Sequence, residues 1–455
     1  MDNSDQVSSQ KSPGKGEFWV NAIYQRCFKK FHSRRNHLKR MSSSQRLRDI
    51  VVYVIAGRQE VFNQRIARIL SLRKSFDKMI FVTKTGVQVD ENHFIVRSYP
   101  NPTGILRLLG FTSFKKFLDR YLFFPSPDLL YVMAARNRLK NSVLGELKKS
   151  KKICLITSVP PHDISLIGLH LKTTFENVRW IMDWRDLWSY DEYYLNRVPR
   201  IRRERLLKLE RSILNSCDLN IVTNERAKTL LETEYDVPPH RVASISHCFY
   251  RPDLDATRSS NEQGFTERKN GVITIGFLGI LFKPPKVPGL RVLQAIENVV
   301  ESGINAELHI FGDYTDLAKR AAGKTRHGRI ILHEATGHKE SLRRISSCDF
   351  LLLSLSDLPN CSVLVHRKLP EYLMLGKPIL AMVPESSAVA DIIRETNSGY
   401  VIPTSSNWGE ELRKILRNFS SDRKGPKRNE KAVEKYSWDN ISRQWLEILS
   451  KVSSP

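Results

Sequence analysis

The stretch that decides the fold is residues 153–188, ICLITSVPPHDISLIGLHLKTTFENVRWIMDWRDLW. It opens on a short apolar run, residues 153–157 (ICLIT), which reads as a buried strand. A proline-stiffened loop follows at 158–163 (SVPPHD), then apolar residues at helical spacing over 164–173. A second apolar run, residues 180–184 (WIMDW), closes the unit. Strand, helix and strand in that order make a βαβ unit, whose two strands are parallel.

The same alternation extends outward. Upstream, residues 49–56 (DIVVYVIA) and 78–83 (KMIFVT) read as strands and 93–96 as a third, with helices at 60–72, within 101–122, and at 136–149. Downstream, a helix near 203–215 precedes a strand at 219–223 (LNIVT), a helix at 225–234 and a strand at 242–245. Residues 253–270 (DLDATRSSNEQGFTERKN) are polar and read as a linker. The pattern then restarts, with strands expected at 272–278, 306–311, 329–332, 349–355, 378–383 and 399–402. The predicted fold class is therefore α/β, with two Rossmann-like doubly wound domains in series and a cleft where they face each other. The boundaries are a basic leader over 1–48, a first domain over 49–252, the linker, a second domain over 271–425, and a C-terminal helix and tail over 426–455.

Composition narrows the function. The 455 residues carry 73 Lys and Arg against 48 Asp and Glu, a formal charge of +25, with 41% hydrophobic residues. That apolar content excludes a disordered polycation, and no apolar run is long enough to span a bilayer. The six cysteines (27, 154, 217, 248, 348 and 361) form no C-x-x-C pair, which points to a reducing, cytoplasmic compartment. The charge is clustered. Residues 17–48 hold nine basic residues interleaved with Phe18, Trp19, Ile23, Tyr24, Phe28, Phe31 and Leu38. They can form an amphipathic helix on an anionic bilayer, a nucleic-acid arm or a solvated leader. Residues 197–211 form a second cationic amphipathic segment, and 423–435 a basic linker. No nucleic-acid reading module is present, so nucleic acid is not expected as a partner.

Four segments can carry chemistry. Residues 279–286 (GILFKPPK) follow a buried strand; Gly279 lets the backbone turn closely, and Lys283 or Lys286 can neutralise a diphosphate, unless this is an ordinary loop with surface lysines. In residues 366–371 (HRKLPE), Pro370 marks a helix start. Arg367 and Lys368 would sit beside the positive end of that helix, and Glu371 either balances the helix dipole or accepts from ribose hydroxyls. In the first half, 158–163 presents His162 and Asp163. Residues 183–188 (DWRDLW) project Arg185 and Asp186; the acidic group can act as a base towards an acceptor hydroxyl, or the two form an ion pair holding the loop. Asp186, Arg185 and His162 are the candidate catalytic residues.

Taken together, SVPPHDISLIGLHLK, WIMDWRDLW, LERSILNSCDLNIVTNERAKTLLE, ITIGFLGILFKPPK, LHIFGD and KLPEYLMLGKPILAMVPESSAVADIIRETNSGYVIP resemble, in order and spacing, the family-4 glycosyltransferases of GT-B fold. The segment FPSPDLLYVMAARNR adds a likeness to bacterial members that build surface polysaccharides. The resemblance implies a nucleoside-diphosphate sugar held by the second domain, a glycan or lipid-linked acceptor in the first, retention of anomeric configuration, and no metal or other cofactor. It makes Glu371 the second of the family's paired glutamates, on the donor ribose, and Lys286 the diphosphate lysine, with Arg367 and Lys368 in a looser phosphate-side role. It also implies that residues 438–449 (WDNISRQWLEIL) cross back to the first domain through Ile441, Trp445 and Leu449. Work near lipid-linked acceptors fits peripheral attachment at the inner face of the cytoplasmic membrane. The chain departs from the pattern at Val363, where the first glutamate falls, at Ile280, where a basic residue often stands, and at Arg185–Asp186, where a His is often found. These departures admit a second reading, a catalytically degraded nucleotide- or glycan-binding or scaffolding subunit.

Overall fold

The computed structural model describes residues 47–57, 64–85, 91–126, 128–149, 151–190, 195, 198–252, 271–282, 288–312, 315–325, 329–422 and 424–453. The basic leader and the linker at 253–270 lie outside them.

The first half contains β1 (Leu47–Ile55), α1 (Gln64–Ser71), β2 (Phe76–Thr83), β3 (His93–Ile95), α2 (Gly104–Leu108), α3 (Thr112–Leu122), α4 (Leu129–Leu147), β4 (Lys152–Val159), α5 (Ser165–Thr174), β5 (Val178–Trp184), α6 (Arg200–Ser216), β6 (Leu219–Val222), α7 (Glu225–Glu234) and β7 (Val242–Ser244). Its strands form one parallel sheet in the order β3-β2-β1-β4-β5-β6-β7. The second half contains β8 (Ile273–Leu278), α8 (Pro288–Glu301), β9 (Ala306–Phe311), α9 (Asp316–Ala322), β10 (Ile330–His333), α10 (His338–Ile345), β11 (Phe350–Ser354), α11 (Lys368–Leu375), β12 (Ile379–Val383), α12 (Ala388–Thr396), β13 (Gly399–Pro403), α13 (Trp408–Asp422), α14 (Glu430–Glu434) and α15 (Trp438–Ser453). Its sheet, β10-β9-β8-β11-β12-β13, is also parallel and repeats the same winding. Two separate parallel sheets, each flanked by helices, make the two-domain GT-B architecture.

The apolar runs are continuous because each strand is covered on both faces. In β1, Val51, Tyr53 and Ile55 enter one core while Ile50, Val52 and Val54 enter the other. In β11, Leu351 and Leu353 face one core and Phe350 and Leu352 the opposite one. The crossing helix forms as expected: Trp438, Ile441, Trp445 and Leu449 are buried in the core that also holds Ile50, Val52 and Ile66. Their spacing of three or four residues puts them on one face of α15. The chain reaches this helix through a backbone clasp, in which Phe249 N donates to Tyr436 O and Trp438 N donates to Phe249 O, each at 2.9 Å.

In each sheet the winding reverses beside the first strand, between β1 and β4 and between β8 and β11. Crevices open beyond the carboxyl ends of strands at such points. Gly57 ends the first strand there, and a Cβ on it would lie 2.6 Å from Pro161. The proline loop after β4 therefore closes tightly over this switch point.

Candidate functional site

The first domain's side of the cleft is built on β4 and β5. Asp183, at the end of β5, is fully buried. Its carboxylate accepts from Arg65 Nε at 2.9 and 3.1 Å and from Ser158 Oγ at 2.7 Å. Arg65 Nη1 also donates to the carbonyls of Ile245 and Ser246 at 2.9 and 3.0 Å. This buried pair ties α1 to β5 and fixes where the next residues, Trp184, Arg185 and Asp186, emerge. Glu210 of α6 braces the far end of that loop, accepting from Trp188 N at 2.5 Å and Ser189 N at 3.2 Å.

The three candidate catalytic residues are brought together here in different settings. Arg185 is half-buried and donates to the carbonyls of Val159 (2.9 Å) and Pro160, so it staples the proline loop. His162 is buried, stacks on Trp188 with ring centroids 5.0 Å apart, and its Nε2 lies 2.9 Å from the Asp186 carbonyl. Burial pulls its pKa down to about 4, so the imidazole is neutral near pH 7 and supports the Asp186 backbone from behind. Asp186 itself is exposed. It lines a small, open-sided space between Trp184, Arg185 and Tyr190 of the first domain and Asn360, Val363 and Leu364 of the second. Asp163, beside His162, accepts from Ser126 Oγ at 2.7 Å, and burial raises its pKa to about 7.

The second domain's side is built on the end of β8 and the start of α11. Gly279 turns the chain at φ +104°, a conformation that favours glycine. Lys368 reaches under it: Nζ donates to the Leu278 carbonyl at 2.6 Å, sits 3.9 Å from the Phe277 ring centroid, and would lie 3.7 Å from a Cβ on Gly279. Burial pulls this ammonium down to about 7, against the opposing charge of Glu371 and with a push from Arg367. Glu371, one turn into α11, is buried, with Oε1 3.1 Å from Nε2 of His338. Gly279, Lys368 and Glu371 thus stand together at the switch point of the second sheet. Arg367 does not join them; it is exposed and lines a pocket beside His247, Arg65 and Arg68. Lys283 and Lys286 lie outside the described residues.

Val363 is half-buried against the first domain's core, and its carbonyl accepts from Asn224 Nδ2 at 2.7 Å. It therefore serves as a contact between the domains. A second contact joins Arg226 and Asp391, with Nη2 3.1 Å from Oδ1. Sequence reasoning missed Arg65, Asn224, His247 and His338. Each stands alone among ordinary neighbours in the chain, and only the fold brings its partner to it. Among the described residues no three His, Cys, Asp or Glu side chains are grouped to hold a metal ion. Among them, too, no helix is long and apolar enough to cross a membrane.

No family model matches the sequence, and no curated protein matches it. Solved structures do match in shape. HepE (Alr3699) of Anabaena, in complex with UDP and glucose, aligns with a TM-score of 0.58 at 12% identity, over 88% of this chain and 99% of that one. WaaG, a glycosyltransferase involved in lipopolysaccharide biosynthesis, aligns with a TM-score of 0.54 at 15% identity, over 87% and 95%. The lipopolysaccharide outer core galactosyltransferase WaaB, in its apo form, gives 0.56 at 11%, over 88% and 99%. At these identities the likeness establishes the fold.

Proposed function

We propose that the chain is a glycosyltransferase that moves a sugar from a nucleoside diphosphate to a glycan or lipid-linked acceptor. The observation that carries the reading is the meeting of Gly279, Lys368 and Glu371 at a switch point, where a glycine of positive φ, a half-buried lysine that reaches the strand end and a buried carboxylate come together. In this reading Glu371 accepts from the donor ribose, and Lys368, with Lys283 and Lys286, neutralises the diphosphate as it departs, while Arg367, which faces the pocket beside His247, is left out of that role. The acceptor hydroxyl approaches from the first domain. The bond from the anomeric carbon to the diphosphate oxygen breaks, the bond to the acceptor oxygen forms, and Asp186 is placed to take the hydroxyl proton. Arg185 and His162 hold the Asp186 loop. The reading includes no metal or other cofactor. Retention of configuration, membership of family 4 and a role in surface-polysaccharide or glycoconjugate synthesis rest on the sequence resemblance. HepE, with UDP and glucose bound, and the lipopolysaccharide enzymes WaaG and WaaB share the fold and so support the substrate class.

Peripheral attachment to an anionic inner leaflet is part of the proposal. It draws support from α2, α3 and the turn between them, which expose Ile105 (61%), Leu109 (62%), Phe111 (59%), Phe114 (53%) and Phe117 (53%). It also draws support from α6, which exposes Arg203, Arg205, Lys208 and Arg211. Arg202 links the two by donating to the carbonyls of Phe123 and Pro125 just beyond α3. An apolar patch rimmed by cations is what an anionic interface attracts.

The second reading, a degraded binding or scaffolding subunit, is favoured by Val363, which offers no carboxylate to a donor sugar. A screen of nucleotide-sugar hydrolysis and transfer with purified protein separates the two. The first reading expects turnover with at least one donor and its loss in Glu371→Ala. Tight donor binding without turnover would establish the second.

A further inference from the structure

α10 and α11 are both seated on β8, which fixes the gap between them. Leu278, the last residue of β8, is gripped by α11 from two sides: its N–H donates to Tyr372 Oη at 3.0 Å, and its carbonyl accepts from Lys368 Nζ at 2.6 Å. α10 closes on the same strand two residues back, where a Cβ on Gly276 would lie 2.6 Å from Ile345 Cγ1. Leu342 and Ile345 of α10 share one core with Leu369, Tyr372 and Leu373 of α11. Helices packed on one strand in this way hold a fixed spacing, because close-packed interiors resist sliding.

His338 and Glu371 bridge the gap. His338 opens α10, after the loop that leaves β10, and its Nε2 lies 3.1 Å from Glu371 Oε1. A carboxylate accepts and does not donate, so the ring donates through Nε2, in its neutral Nε2–H tautomer as well as when charged. Glu340 of the same helix turns instead to Arg343 and Arg344, at 2.7–2.8 Å. The bridging partners differ in exposure: the His338 side chain is 34% exposed and that of Glu371 6%. A pair with one member that open adds little to stability. Its effect is geometric: a hydrogen bond to Oε1 fixes the plane of the carboxylate, and with it the direction in which Oε2 points.

We propose that His338 is a positioning residue for Glu371, holding Oε1 so that the carboxylate meets the ribose hydroxyls of a nucleoside diphosphate in one orientation. The proposal rests on the reading of Glu371 as the ribose-binding group and extends it to a second element. The ribose is read by a carboxylate anchored on α11 and aimed from α10. A site built to bond a hydroxyl rejects the analogue that lacks it, because the oriented oxygen then has nothing to accept from. Ribose selectivity, and not affinity alone, is therefore the property that His338 controls.

The test is calorimetry on the full chain with UDP, GDP, ADP and CDP, each beside its dideoxyribose counterpart, read as the ratio of the two dissociation constants. Wild type is compared with His338→Ala, His338→Gln and Glu371→Ala. Gln carries an N–H donor at a similar reach, and Ala carries none. Unchanged unfolding midpoints establish that each variant folds; His338→Asn, whose amide is too short to reach Oε1, replaces Ala if the midpoint of that variant falls. Wild type should prefer the ribonucleotide of at least one pair about tenfold or more. His338→Ala and Glu371→Ala should bring that ratio to within about twofold, and His338→Gln should restore most of it. A side chain that merely shaped the site would weaken both members of a pair alike and leave the ratio unchanged. A ratio lost in Glu371→Ala but unchanged in His338→Ala overturns the positioning role and leaves the ribose role of Glu371 standing. No binding or no preference in wild type, or a ratio that Glu371→Ala retains, removes the ribose role and the proposal with it.

Discussion

Replacing Asp183 with Asn isolates what holds the cleft's first wall in place. The substitution keeps the side chain's shape and removes its charge. Asp183 is fully buried and Arg65 only 6% exposed, so the arginine is left as a buried cation with the carbonyls of Ile245 and Ser246 as neutral partners. Removing one partner of a buried ion pair costs about 3–5 kcal/mol, and the low end, about 3 kcal/mol, applies because the amide oxygen can still accept one hydrogen bond. For a domain of about 200 residues this lowers the unfolding midpoint by roughly 6–12 °C. Trp180, Trp184, Trp188 and Trp445 are all buried in this half of the molecule, so tryptophan fluorescence during urea unfolding follows it directly. The apolar double variant Arg65→Met with Asp183→Leu should cost less than Asp183→Asn alone, because no charge is stranded. A loss below about 1 kcal/mol in Asp183→Asn, or a double variant worse than the sum of the two singles, would refute the argument.

Trp445→Ala should remove about 3–5 kcal/mol, since the ring is 1% exposed in the core that α15 shares with β1; urea unfolding measures it. Lys368 titrates near 7 in the free protein, and a diphosphate prefers its charged form. Binding of a nucleoside diphosphate should therefore take up a proton above that pH, and its affinity should fall as pH rises. Calorimetry in buffers of different ionisation enthalpy should show that uptake in wild type and not in Lys368→Arg, whose charge is permanent. Substituting Phe111, Phe114 and Phe117 with Ser should abolish flotation with anionic vesicles while leaving the unfolding midpoint unchanged, because all three are more than half exposed.

Most of the fold is legible in the sequence because its strands are buried on both faces. A run such as VVYVI has no polar residue to interrupt it, and a parallel sheet is what such runs build. The crossing helix is legible for a similar reason, its buried residues recurring at three or four positions. Boundaries are less so: α4 begins at Leu129, seven residues before the first residue of the predicted helix, and α13 was not foreseen. The site is legible only in part. Glu371 and Lys368 stand in one local motif at the start of α11. Arg65 and Asp183 are 118 residues apart, and His338 reaches Glu371 across 33, so neither pairing leaves a trace in local spacing. Arg367 and Lys368 look equivalent as adjacent cations. Their separation depends on the path of the backbone entering α11, which the packing of the two domains determines.

The central claim is that the site at Gly279, Lys368 and Glu371 holds a nucleoside-diphosphate sugar. A thermal-shift panel of nucleotide sugars tests it most directly. A matching donor at about a hundred times its dissociation constant adds about 2.7 kcal/mol, which should raise the midpoint by several degrees in wild type. The account predicts that at least one donor does so and that Glu371→Ala abolishes the shift while remaining folded. A panel in which no nucleotide sugar moves the midpoint, or a full shift retained in Glu371→Ala, would contradict it.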